Sequence, residues 1–120
     1  ALAEQVRAQE TLEATRRDLA VRVHREFRGV SEGVLKVRAL EQAARSGEQL
    51  VTSTRRSYQV GSRTLVDVLN AEQQLQSTLR DLAEARYLYL VSRVRLRALT
   101  GSDIDASIQE INSWLVAAGR

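Results

Sequence analysis

No proline interrupts the 120 residues of this chain. Average usage of about 5% would put roughly six in a chain this long. Proline ends helices because it lacks the amide donor and its ring clashes with the preceding turn. Its absence, beside abundant Ala, Leu, Glu, Gln and Arg, predicts long uninterrupted helices. Aromatic residues make up only 4%: Phe27, Tyr58, Tyr87, Tyr89 and Trp114. A compact core usually leans on more large rings than that.

The apolar spacing agrees. Val23, Phe27, Val30, Val34 and Val37 step by 4, 3, 4, 3, and Leu40, Ala44, Gly47, Val51, Thr54 and Tyr58 continue the alternation. These are the a/d spacings of a heptad seam. Between the runs, Val37 to Leu40 is a second step of 3, which reads as a stammer. Gly29, Gly33 and Gly47 lie inside the segment and each costs a helix ~1 kcal/mol relative to Ala. Close approach of a neighbouring helix would compensate. A second segment carries Leu65, Val68, Glu72, Leu75, Leu79, Leu82, Arg86, Tyr89, Arg93 and Leu96 at the same spacing. Leu69, Ala83, Tyr87, Leu90 and Val94 form a stripe beside it. Two stripes predict neighbours on more than one side, whereas a simple hairpin needs one. The period-2 alternation from Leu90 to Leu99 fits a strand, but the 3/4 pattern enters it unbroken and helix is preferred.

Gly61 suits the left-handed position that closes a helix, with Arg55 and Arg56 in its last turn. Thr64 suits an N-cap, and Asp67 completes a capping-box-like pair. Leu99-Thr100-Gly101 closes the second helix, and Ser102 or Asp103 is placed to cap a short third one with Ile104, Ile108, Ile111 and Leu115 on one face. The expected fold is all-α: a long antiparallel coiled-coil helical hairpin over 1–101, with helices 2–58 and 64–99 and a tip turn 59–63, followed by a short C-terminal helix and tail over 102–120. At 1.5 Å per residue the helices would be roughly 85 and 54 Å long. The first therefore overhangs by some twenty residues, which the third helix or other chains can cover.

Several chemistries find no support. There is no cysteine, so no disulfide or thiolate metal site. His24, the single histidine, lies on a helix with no second His or Cys to join it in a metal site. No catalytic constellation and no cofactor is expected. The net charge is +3, but acids are interspersed with the arginines and no basic block points to nucleic acid. No apolar run reaches the ~18 residues of a membrane span. Gly29-Val30-Ser31-Glu32-Gly33 has the GxxxG spacing in surroundings too charged for a membrane motif. The opening ALAEQVRAQE has neither the basic nor the apolar region of a signal peptide. It reads as mid-helix, as an excised or processed segment would.

The turn carries a more specific signal. Residues 58–71, YQVGSRTLVDVLNA, resemble the Y-x-V-G-[TS]-R-T-x-V-D-V-L-x-A signature of the TolC-like outer-membrane efflux proteins. The likeness continues through residues 82–90, LAEARYLYL, to Leu99-Thr100-Gly101. It implies the second helical hairpin of a periplasmic α-barrel, with its tip and the short equatorial helix. Members are trimers in the bacterial outer membrane that export drugs, toxins or proteins. They work with a periplasmic adaptor (membrane fusion) protein and, through it, an inner-membrane pump. The resemblance assigns adaptor docking to Val60, Gly61 and Ser62. It assigns links that hold the tip closed to Tyr58 and Arg63, and an acidic ring to Asp67. Asn70 stands where a second ring Asp occurs in the best-known member, which removes one charge per protomer.

Each tip residue also has a plain structural reading. Gly61 is the helix stop, Thr64 and Asp67 are the cap, and Tyr58 ends the seam. Arg63 has the weakest such reading. The alternatives to a passive export duct are a generic coiled-coil oligomerisation scaffold and a basic helical nucleic-acid binder. In isolation the hairpin exposes its second stripe and its overhang, so self-association is expected.

Overall fold

The computed structural model describes residues 1–101 and 104–118, with the side chains of Ile104, Ser107 and Ala118 left aside. Three helices follow in order: α1 (Leu2–Gln59), α2 (Leu65–Leu99) and α3 (Ile104–Ala118). The expected caps at Ser102 and Asp103 lie outside the described residues. Of the described residues none forms a strand, so the alternating Leu90–Leu99 stretch is helical. None of the described helices is long and apolar enough to cross a membrane. The chain divides into two compact units, Glu32–Tyr89 and Ala1–Ser31 with Leu90–Arg120.

In the unit Glu32–Tyr89, α1 and α2 run antiparallel around the turn. An ideal Cβ on Gly33 would lie 3.2 Å from Tyr89 Cδ2, and one on Gly47 3.1 Å from Leu75 Cδ1. Each glycine thus receives a large side chain of the facing helix, which compensates its poor helix propensity. Ala44, Val51, Val68, Ala71, Leu82 and Ala85 are the buried apolar residues. On α2 the seam alternates large residues (Val68, Leu75, Leu82, Tyr89) with small ones (Ala71, Thr78, Ala85), all buried or half-buried. Such a seam lets two backbones approach with few aromatic rings. Two ion pairs bracket it: Arg55 with Glu72, and Arg86 with Glu41 at 2.9 Å. These pairs explain the charged residues at Glu72 and Arg86 in the apolar spacing. Being largely exposed, each contributes only ~0–1 kcal/mol.

The seam departs from the expected positions on both helices. On α2, Ala71 and Ala85 are buried where Glu72 and Arg86 were expected, and Leu65 is exposed; on α1, Tyr58 is exposed. Phe27 is 58% exposed, whereas Glu26 is buried. Gly33, next to the expected Val34, faces α2. With Glu26 and Gly33 in place, the α1 seam reads Glu26, Val30, Gly33, Val37, Leu40, Ala44, Gly47, Val51 and Thr54. Its steps alternate between 4 and 3, and α1 is one continuous helix. Periodicity picked Phe27 and Val34 because they are apolar. The structure buries the Glu26 carboxylate in place of Phe27 and leaves Gly33 and Val34 both half-buried.

In the other unit, Gly29 approaches Ser92, whose Oγ would lie 2.9 Å from an added Cβ. Residues 1–22 are exposed throughout, so α3 does not cover the first part of α1. It lies against α2 instead, through Glu110 and its partners Arg93 and Arg97.

Replacing Gly47 by leucine would drive four added carbons against Leu75. We expect this to lower the unfolding free energy by about 1–3 kcal/mol despite leucine's better helix propensity. Urea unfolding followed by circular dichroism measures it, and equal or greater stability would contradict this packing.

Candidate functional site

The turn between α1 and α2 is closed by backbone hydrogen bonds at both ends. At the end of α1, the Ser62 amide donates to the Ser57 carbonyl at 2.9 Å and the Gly61 amide to the Tyr58 carbonyl at 3.0 Å. This 6→1 and 5→2 pair is the Schellman motif. It needs a left-handed residue, and Gly61 supplies it with φ +82°. The Ser57 carbonyl also accepts from the Ser62 hydroxyl at 3.1 Å and the Arg63 amide at 3.3 Å. Carbonyls left over at the helix end are thereby satisfied.

At the start of α2, the Thr64 amide and hydroxyl both donate to Asp67 Oδ2, at 2.9 and 3.0 Å. The Asp67 amide returns a bond to Thr64 Oγ1 at 3.3 Å. This is a reciprocal capping box with aspartate as the acid. The bond from the Thr64 amide, then that from its hydroxyl, holds the Asp67 carboxyl below its ordinary value, with a smaller contribution from Arg63. Partial burial acts in the opposite direction.

The sequence-predicted residues fall into two groups. Val60, Gly61 and Ser62 form the exposed crest of the turn, and Val60 is 79% exposed. An added Cβ on Gly61 would meet nothing within 4 Å, so its outer side is open. Arg63, Asp67 and Asn70 line one open groove together with Leu50, Thr54, Ala71 and Gln74. Tyr58 is exposed at the end of α1 and does not line that groove. Gln74 was not singled out from the sequence. Its signal was present, because Asp67, Asn70, Gln74, Ser77, Asp81 and Glu84 step by 3, 4, 3, 4, 3 along α2. This polar stripe lies one position before the seam residues. On the other side of the seam lies an apolar stripe in which Leu69 and Tyr87 are exposed. His24 is exposed as well.

The depressed Asp67 carboxyl predicts a pH dependence. Its folded-state value is lower than its unfolded value, so the cap contributes fully above the ordinary aspartate range. That contribution fades as pH falls through the lowered folded value. Thr64→Val removes the hydroxyl and should move the Asp67 titration upward in a carboxyl-carbon NMR experiment. An unchanged midpoint would show that the hydroxyl does not hold it.

Comparison with known proteins identifies the family of the chain. The family model for outer membrane efflux proteins matches residues 1–102. The chain is 32% identical over 113 residues to outer membrane protein TolC of Vibrio cholerae serotype O1, covering 94% of this chain and 26% of that protein. It is 36% identical over 101 residues to alkaline protease secretion protein AprF of Pseudomonas aeruginosa, covering 84% and 21% respectively. Proteases secretion protein PrtF of Dickeya chrysanthemi is 29% identical over 118 residues, 98% of this chain and 26% of that protein. The chain thus spans about a quarter of the length of these relatives. The family-model match over residues 1–102, with 32% identity to a TolC over 94% of the chain, makes this chain a member of the outer membrane efflux protein family.

Proposed function

We propose that this chain is a segment of the periplasmic wall of an outer-membrane export duct, serving drug efflux or type I secretion, with a tip that docks an adaptor and gates the passage. The three faces of α2 carry this reading. One face is the seam with α1, one is an apolar stripe on which Leu69, Ala83 and Tyr87 are exposed, and one is a polar stripe from Asp67 to Glu84. A helix in the wall of a water-filled barrel needs all three: two contact faces for its two neighbours and one face toward water. A free-standing two-helix scaffold needs only the seam. Acids interspersed among the arginines disfavour the nucleic-acid reading, since counterion release rewards contiguous positive charge.

In this reading Val60, Gly61 and Ser62 form the crest that meets the helical tip of a periplasmic adaptor, which in turn couples the duct to an inner-membrane pump. The duct is passive, with no catalytic group, metal or cofactor. Arg63, Asp67 and Asn70 share the groove at the tip, and with Tyr58 they govern its closure. Asp67 serves as cap and as pore charge together, because a carboxylate bonded to Thr64 stays ionised and keeps its negative field. Asn70 brings a neutral amide where a second acid would strengthen that field.

Bulk at the crest tests the docking. In the complete protein, Gly61→Asn preserves the left-handed backbone at little cost, whereas Gly61→Trp adds a large side chain on the open side. Adaptor capture should survive the first change and drop at least about tenfold in the second, the loss of one well-packed contact. Equal capture by both variants, with helicity intact, would remove the crest from the docking surface. The exposed stripe gives a second expectation. The isolated 120-residue chain should self-associate with rising concentration in analytical ultracentrifugation, and a clean monomer at high concentration would contradict it.

A further inference from the structure

The contacts of α3 do not follow its apolar pattern. Ile108, Ile111 and Leu115 lie on one face, yet Ile108 is 49% and Leu115 61% exposed, and only Ile111 is half-buried. Polar groups make close contacts with α2, beside a small cavity lined by Val94 and Ile111. Glu110 Oε1 accepts from Arg93 Nη2 at 2.8 Å, and Glu110 Oε2 lies 2.8 Å from Arg97 Nη1. The two carboxylate oxygens are thus divided between two guanidinium groups. The Arg93 guanidinium also sits over the Trp114 ring, 4.7 Å from its centroid. Glu110 and Trp114 are four residues apart and therefore neighbours on one edge of α3. Arg93 and Arg97 are likewise one turn apart on α2. All three charged side chains are about two-thirds or more shielded, at 34%, 25% and 31% exposure. Shielding makes such charge-assisted bonds stronger than surface pairs.

We propose that α3 is a strap latched to α2 by charge: Glu110 held between Arg93 and Arg97, with Trp114 stacked on Arg93, sets how α3 sits, and its apolar stripe does not. The latch also accounts for two arginines in the densest apolar stretch of α2. Packing alone would have filled those positions with leucine or valine. Because the hold is ionic, screening or loss of the one carboxylate releases α3 as a unit and leaves α1 and α2 helical.

Trp114 is the only tryptophan, so its fluorescence reports the latch directly. In the 120-residue chain, acrylamide quenching of Trp114 should rise when salt is raised to about 1 M, where the Debye length shrinks to ~3 Å. Glu110→Gln should do the same at low salt, lowering the ratio of docked to released α3 about tenfold, while the far-ultraviolet signal stays largely intact. Leu115→Ala, which removes an exposed apolar residue, should leave the quenching unchanged. Quenching insensitive to both salt and Glu110→Gln would overturn the latch. Release by Leu115→Ala with no effect of Glu110→Gln would assign the hold to the apolar stripe instead.

Discussion

The close approach of α1 and α2 is the constraint on which the rest depends. It is set by size matching more than by hydrophobic bulk. Gly33 takes in Tyr89, Gly47 takes in Leu75, and small residues on α2 alternate with large ones along the seam. The few buried apolar residues are mostly valine and alanine, with Leu82 the largest. Dispersion between closely spaced backbones thus replaces the aromatic core of a typical globular domain. The arrangement leaves wide faces of both helices uncovered, which suits a chain that meets other helices in its working state.

The turn inherits its form from that packing. Two antiparallel helices brought so close leave a short connection between their ends. Gly61 closes α1 with a left-handed residue, and Thr64 with Asp67 opens α2 within a few residues. The backbone groups of the turn are therefore occupied internally. Val60 stays exposed at the crest, and Arg63 and Asn70 line the groove beside Asp67, whose carboxylate Thr64 holds. A turn whose backbone is fixed by its own hydrogen bonds suits a docking or gating tip, because contact then costs little ordering entropy.

At the other end of α2 a different force takes over. Small-against-large packing gives way to shielded charge, with Arg93 and Arg97 gripping Glu110. The same helix thus binds α1 by shape and α3 by charge. These attachments respond differently to salt, since screening weakens ion pairs and leaves dispersion almost untouched.

Much was legible in the residues alone. The missing prolines, the 3/4 spacing, the Gly61 stop and the Thr64–Asp67 cap are local signals, each decided within one or two helical turns, and they were sufficient for three helices and a tight turn. The tip signature was equally local, and it was sufficient to identify the family. What the sequence could not decide is which of several similar stripes becomes the seam. Glu26 is buried where Phe27 was expected, Gly33 faces α2 beside Val34, and α3 is held by Glu110 and Trp114 while Ile108 and Leu115 face outward. The physical reason is the same in each case. Periodicity ranks positions by the hydrophobicity of their own side chains, but burial depends on the shape and charge of the surface opposite. That surface exists only once the helices have packed.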